Sequence, residues 1–475
     1  MKKTLIILSG IMMSCIPVLA QDSSTFSLKK CVDIAFENNL QVKQSNLQLE
    51  RSGILLNQAR SNRLPDLLAD INHGLNQGRS IDPFTNSYIN QEIFYGQYGL
   101  GTNVVLFNGG QLKNLVKQNR QNEEAGKMDV QQSKDNLMLN VLLAYLQVLN
   151  NEEQLHQSQN QLVLTKKQVE RLTQLNNEGS IIPAQLYELK GQQANDELAV
   201  VNNSNAVETA KLALCQLMNI PYNKNMKVEQ VSASDYATKY LADPESIYQQ
   251  ALEFIASVKA ADLRTRSAAS AVKVSRGAFY PQVSFGANIY TNYSNAAQSQ
   301  LFLNTTQVES GDFVTVGTDK LPVITTRNNY LTQKIGYTDQ FKNNYNTSFG
   351  LNVRVPIFNR NTAKNNLLLS KNTLRNNEYI LETTRIQLKQ SIEQAALNMT
   401  AAYDKYTLLL QQVSDFDAAF RIADVRYKAG VSTQVDYLIA KNNSDRTAIN
   451  LILAKYDYIF RTKILDYYQN KLNLQ

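Results

Sequence analysis

The sequence predicts a mainly helical chain with a smaller β component, in which one structural unit is written twice in tandem. Three observations carry that prediction: residue identities that return at constant spacing, two long stretches almost free of glycine and proline, and four short segments that alternate apolar with polar residues. Ala35, Glu37, Val42, Arg60 and Pro65 return as Ala251, Glu253, Val258, Arg276 and Pro281, each 216 residues later. Further on, Gly99, Leu100, Val104, Phe107, Asn108 and Gly179 return as Gly350, Leu351, Val355, Phe358, Asn359 and Gly430, each 251 residues later. The spacing changes once, so the second copy carries 35 extra residues between Tyr290 and Gly350. Internal repetition of this kind points to a function that resides in an assembled shape.

Taken in order, residues 1–20 read as a secretory leader: Lys2 and Lys3, an apolar run from Leu5 to Leu19, then Ala20. Cys15 raises lipidation, but Met12-Met13-Ser14 before it fits a lipidation site poorly. The first repeat covers 21–220, a polar connector 221–243, and the second repeat 244–475. Beyond the leader no run of 18 apolar residues occurs, so a membrane is crossed as strands or not at all. Cys31 and Cys215 sit in a compartment that permits disulfides, and either a bridge or two free thiols is compatible with the sequence. The net charge of +7 is spread among Asp, Glu, Asn and Gln without a basic patch, which argues against nucleic acid.

Glycine and proline punctuate helices most strongly. Gly126 alone interrupts 111–176, and neither residue occurs in 361–428, so both stretches are expected to be single helices of about 100 Å at 1.5 Å per residue. Helices of that length belong to a coiled-coil or helical-barrel assembly. After Gly179 and Gly430 follow seams of alternating three- and four-residue steps. They run through Leu186, Leu189, Gln193, Asp196 and Val200, and through Val435, Leu438, Asn442, Asp445, Ile449 and Ile452. A broad stripe with polar members suits a stave with a neighbour on each side and water beyond, while an antiparallel bundle with a solid core is the competing arrangement.

The strands are expected in hairpins at about 66–106 and 281–357. Val283, Phe285, Ala287 and Ile289 alternate with Gln282, Ser284, Gly286 and Asn288, and Phe349, Leu351, Val353 and Val355 alternate likewise. Leu67, Ala69, Ile71 and Leu75, then Tyr98, Leu100, Thr102 and Val104, form the matching faces of the first copy. One apolar and one polar face per strand suits a membrane barrel with a wet interior. Four strands cannot close, so several chains must pool them, and eight leave an interior filled by side chains, so a pore favours three chains or more. A soluble sheet with one buried face is the alternative. The 35 extra residues, with Asn304-Thr305-Thr306, Gly311 and Pro322, read as a long surface loop.

The order of short helix, proline turn (Leu64-Pro65, Tyr280-Pro281), strand hairpin, Leu106-Phe107-Asn108-Gly109-Gly110, long helix, glycine turn and second long helix, given twice, resembles the TolC-type outer-membrane efflux channels. Gly78-Arg79-Ser80-Ile81-Asp82-Pro83 is similar to what one branch of that family carries in its first hairpin. The resemblance implies a homotrimer with a twelve-stranded β-barrel in the cell outer membrane and a long α-helical barrel reaching through the periplasm. It implies docking to a periplasmic adaptor and an inner-membrane transporter of an efflux or type I secretion system. It also implies a periplasmic gate near Gly179 and Gly430, where Tyr427, Gly430 and Asp436 match the constriction tyrosine, the turn glycine and the first constriction carboxylate. Three copies of Asp436 would form an anionic ring that attracts cations; a solvated aspartate favoured by the helix dipole is the plainer reading. The family's arginine position holds Ser432, its facing aspartate Gln185 and its second carboxylate Ile439, so the usual charge lock is expected to be missing. Glu178 and Glu188 lie near the first turn.

His73 and His156 are the only histidines and have no metal-ligand spacing. No phosphate loop or nucleophile elbow is present, so no enzymatic activity and no cofactor are expected. Two other functional classes stay open: a soluble periplasmic coiled-coil adaptor, and an outer-membrane receptor that uses the 290–350 segment.

Overall fold

The computed structural model describes residues 25–81, 86–90, 92–230, 239–241 and 243–472. The leader with Cys15, the 231–238 part of the connector, and Asp82-Pro83 lie outside the described residues. Chain contacts divide into two compact units, each drawing on both halves of the sequence. The first comprises the chain up to Arg51, Glu123–Arg264 and the chain from Asn377; the second comprises Ser52–Asn122 and Thr265–Asn376.

The first unit is helical. The helices α1 (Leu28–Asn38) and α2 (Leu40–Ser61) break at Asn39, whose side-chain oxygen accepts from the backbone N–H of Gln41 (2.9 Å) and Val42 (3.1 Å) and so caps α2. With no proline in either and Gly126 the one glycine within them, α3 (Gln111–Asn177) and α8 (Thr362–Lys428) each run for 67 residues. They are followed by α4 (Pro183–Met218) and α9 (Gln434–Tyr468). Short helices α5 (Pro244–Phe254) and α6 (Ala256–Gly277) precede the second set of strands. No helix among the described residues is long and apolar enough to cross a membrane.

Two cores in this unit are built alike. Cys31, Val32 and Ala35 of α1 pack on Val141, Tyr145 and Leu149 of α3 and on Leu214 and Met218 of α4. Ile247 and Ala251 of α5 pack on Leu388, Ile392 and Met399 of α8 and on Tyr458 and Leu465 of α9. In the first core the Tyr145 hydroxyl lies near the backbone carbonyl oxygens of Phe26 (3.0 Å) and Glu229 (2.6 Å), pinning the segment before α1 to the connector. Cys31 and Cys215 are both free and buried in that core, so no bridge forms; burial pushes the Cys31 thiol up to about 12.

The second unit holds the strands β1 (Leu68–Asn76), β2 (Arg79–Ile81), β3 (Tyr88–Asn90), β4 (Ile93–Asn108), β5 (Gln282–Ser294), β6 (Gln298–Val316), β7 (Asp319–Lys334) and β8 (Asn346–Arg354). Four of them form one antiparallel sheet in the order β1-β4-β5-β8, in which β4 pairs with β5 and so joins the two halves of the chain. Registers place Asp70, Asn72, Gln97, Asn103, Ser284, Asn288, Asn292, Ser348, Asn352 and Arg354 on one face. The other carries Ile71, Leu100, Val104, Phe285, Ile289, Phe349, Leu351 and Val353. His73 lies on this second face, its Nε2 2.6 Å from the Tyr98 hydroxyl.

The expected loop between Tyr290 and Gly350 is largely ordered secondary structure instead. It is a long hairpin of β6 and β7 followed by a short helix α7 (Tyr337–Asn343). Two register shifts, at Phe302/Asn304 and Glu309/Phe313, break its apolar alternation, which is why the sequence pattern concealed it. The turns into α3 and α8 take the left-handed conformation at Gly109 (φ +63°) and Gly110 (φ +76°), and at Arg360 (φ +55°) and Asn361 (φ +61°). A β-carbon on Gly109 would stand 2.5 Å from the Gly277 carbonyl oxygen, so that position requires glycine.

Candidate functional site

The turns from α3 to α4 and from α8 to α9 close in the same way. Gly179 (φ +67°) and Gly430 (φ +75°) both sit in the left-handed region. Ser180 N–H donates to the Leu175 carbonyl (2.8 Å) and Val431 N–H to the Arg426 carbonyl (2.9 Å), the six-to-one bond of a Schellman end.

Around the second turn the expected gate residues fall into two groups. Tyr427 is half-buried and stacks on Tyr437 with ring centroids 4.9 Å apart; its hydroxyl donates a long bond (3.4 Å) to the Gln434 side-chain oxygen. The Gln434 amide in turn donates to the backbone carbonyl of Gln185 (2.7 Å), so Tyr427 and Gln185 are joined through a residue that the sequence did not single out. These residues close over a small core of Leu172, Leu186, Leu189 and Tyr437. Burial raises the Tyr427 hydroxyl above the usual tyrosine range.

Ser432 and Asp436 form the second group. Thr433 and Asp436 make a capping box at the start of α9. The Asp436 carboxylate accepts from the Thr433 hydroxyl (2.7 Å), the Thr433 backbone N–H (3.2 Å) and the Ser432 hydroxyl (3.3 Å). Those bonds hold its carboxyl below the usual aspartate value, with the Thr433 hydroxyl as the largest cause. Asp436 is exposed, so the ion stays hydrated while it caps the helix. The spacing Thr433-x-x-Asp436 was readable as such a cap. Ile439, Glu178 and Glu188 are exposed, and the Glu188 charge adds to burial in raising the Tyr427 hydroxyl.

The seam expected along α4 is realised, with Leu186, Leu189 and Asp196 buried, while the start of the α9 seam needs correction. In α9 the buried positions at this end are Gln434, Tyr437 and Lys441, one residue off the expected Val435, Leu438 and Asn442 stripe, and Val435 and Ile439 are left exposed. Asp196, a polar member of the expected α4 seam, is buried. Lys441 Nζ, also buried, donates to Asp196 Oδ2 (3.1 Å) and Asp445 Oδ2 (2.6 Å). Thr165 Oγ1 (2.5 Å) and Gln192 Nε2 (2.8 Å) donate to the remaining lone pairs of Asp196. Lys441 escaped notice because its long stem lets a cation pack like an apolar residue, provided that its charge finds partners. Burial still pushes the Asp445 carboxyl up, against the pull of Lys441.

Among the described residues no group of three or more His, Cys, Asp or Glu side chains could hold a metal ion.

Solved structures share this architecture. The chain superposes on the outer membrane protein VceC from Vibrio cholerae with a TM-score of 0.74 and 15% identity, over 94% of this chain and 97% of that one. The Campylobacter jejuni CmeC outer membrane channel gives 0.72 and 16% identity over 94% and 86%. The Neisseria gonorrhoeae MtrE outer membrane channel in its open state gives 0.70 and 18% over 93% and 88%. No curated protein matches in sequence. At these identities the likeness establishes the fold, while family rests on the sequence model for outer membrane efflux proteins, which matches residues 31–219 and 247–461. With both halves matched, the chain belongs to the outer membrane efflux protein family.

Proposed function

We propose that three copies of this outer-membrane efflux channel pool their strands into one twelve-stranded barrel and their helices into one tunnel, closed at the turns around Gly179 and Gly430. The observation that carries this reading is the four-stranded sheet, whose outer strands β1 and β8 have open edges. An open edge is not tolerated in hydrocarbon, so other copies must pair with it. The polar face is hollow, with Asp70, Asn72, Gln97, Tyr290 and Asn292 lining about 600 Å³, which suits the inside of a barrel. The opposite face leaves Ile71 72% and Phe349 75% exposed, as a lipid-facing wall would be in a single chain.

Matching element lengths in the two halves, 11 and 11 residues for α1 and α5, 22 and 22 for α2 and α6, and 67 and 67 for α3 and α8, support duplication of a unit at 21–220 and 244–475. The exposed apolar residues at the turns, Ile182, Val431, Val435 and Ile439, suit contact with neighbouring copies and with a periplasmic adaptor that connects the duct to an inner-membrane transporter.

In this reading Asp436 caps α9 and also contributes to a ring of three carboxylates across the closed end. Gln434, bridging Tyr427 and Gln185, takes the place of the missing charge lock in holding the two turns together. Single-channel conductance in a planar bilayer tests the carboxylate ring, with a multivalent cation added on the side of the turns. Discrete steps that the cation blocks in wild type and not in Asp436→Asn are expected. Block that persists unchanged in the variant would remove Asp436 from the gate.

A further inference from the structure

Beyond the four-stranded sheet, β6 and β7 form a two-stranded sheet of their own, and its root is fixed. Gln340 of α7 is buried; its side chain accepts from the Ser294 backbone N–H (2.8 Å) and donates to the carbonyls of Ser294 (2.9 Å) and Ile335 (2.8 Å). Ser294 ends β5 and Ile335 follows β7, so one side chain clamps the hairpin to the sheet. Asn344 adds a bond to the Asn292 carbonyl (2.7 Å). The nine-residue strands β1 and β8 already suffice to cross the hydrocarbon. The hairpin departs from the end of the sheet opposite Asn108 and Arg354, after which α3 and α8 begin, so in the proposed channel it stands outside the membrane.

The tip, unlike the root, is unpartnered within the chain. Phe313, Val314, Val316, Leu321 and Ile324 are each more than half exposed. Phe313 pairs with Pro322 and Val314 with Leu321, neighbouring rungs whose side chains point to opposite faces, so both faces of the tip are apolar. A two-stranded hairpin alone is marginal in water, and an exposed apolar patch on one calls for a partner. A lipid surface suits an element with one apolar and one polar face. Apolar residues on both faces suit a ring in which each tip has a neighbour on either side, which a threefold axis supplies. Glu309, Asp312 and Asp319 balance Lys320, Arg327 and Lys334 along the hairpin, so its net charge does not drive copies apart.

We propose that the hairpin tips of three copies pack on one another outside the membrane. The inference rests on the trimer, and gives it a contact separate from those of the barrel and the helices.

The chain contains no tryptophan, so Phe313→Trp and Val314→Trp each place a single fluorophore on one face of the tip. Each variant is purified in detergent, its chains are counted by native mass spectrometry, and its emission is read with iodide as the aqueous quencher. It is then read in vesicles of phosphatidylcholine brominated on the acyl chains. The expected result is three chains, blue-shifted emission at both positions, iodide quenching that rises only when the trimer is dissociated, and no quenching by the brominated lipid. Thr315→Cys should also give disulfide-linked pairs of chains on mild oxidation, whereas wild type, whose Cys31 and Cys215 are buried, should give none. Three chains with full iodide quenching at either position would leave the trimer standing and overturn the contact between tips. Quenching by brominated lipid would seat the tip in the bilayer and overturn it as well. A particle of one or two chains would overturn the trimer and this contact together.

Discussion

At Lys441 a cation is held out of water between two carboxylates on different helices, Asp196 of α4 and Asp445 of α9 itself. Deleting one partner of such a pair strands the other, so Lys441→Ala is expected to destabilise the protein by about 3–5 kcal/mol. The triple variant Asp196→Leu/Lys441→Met/Asp445→Leu should recover much of that loss, because well-packed apolar side chains replace the whole buried ion triad at little net cost. Thermal unfolding followed by circular dichroism checks both. The Asp436 cap predicts a pH effect of definite sign. A carboxyl held below its unfolded value adds stability that is complete above about pH 4 and is lost as pH falls through the folded value. Protection against hydrogen exchange across 431–437, taken relative to the intrinsic rate at each pH, should therefore fall on acidification in wild type and lose that dependence in Asp436→Asn. Carbon counting located few of these groups in advance. Asp436 was legible from its place after the turn, whereas Gln434 and Lys441 act through partners more than 240 positions away, which local spacing cannot reveal.

Helix length is the property of the elements that the sequence stated most directly. The expected spans 111–176 and 361–428 are realised as α3 and α8 within a residue or so, because the absence of proline and the scarcity of glycine leave nothing to end a helix. The stripe of α9 is shifted by one residue only in its first turns, where Tyr437 and the stem of Lys441 outcompete Val435 for the interior, while Ile452 further along is buried as expected. The β6–β7 hairpin was missed because its middle is Thr- and Asn-rich. Thr305 bonds to Asn328 (2.7 Å) and Asn329 to Asn304 (2.9 Å), a polar ladder without the apolar alternation that signals a strand. At the helix ends, Gly430→Ala is expected to cost about 1 kcal/mol or more, because alanine disfavours φ +75°. Gly53→Ala in α2 should instead stabilise by about 0.5–1 kcal/mol, since a β-carbon there meets nothing within 4 Å. The two glycine variants, measured side by side by thermal unfolding, separate turn strain from helix propensity.

For the molecule as a whole, the mainly helical class with a small sheet and the efflux family were legible in the order and repetition of elements, and the family match excludes a soluble adaptor as the chain's identity. Assembly is the part that one chain leaves incomplete. Among the described residues the sheet has two free edges, an exposed apolar face and a hollow polar face, which is what the proposed pooling of strands from three chains requires. The most direct test is the number of chains in the detergent-solubilised particle, counted by native mass spectrometry. Three chains, dissociating together when the β1 and β8 edges are disrupted by proline, is the predicted result. A folded particle of one or two chains that still conducts would contradict a twelve-stranded pore.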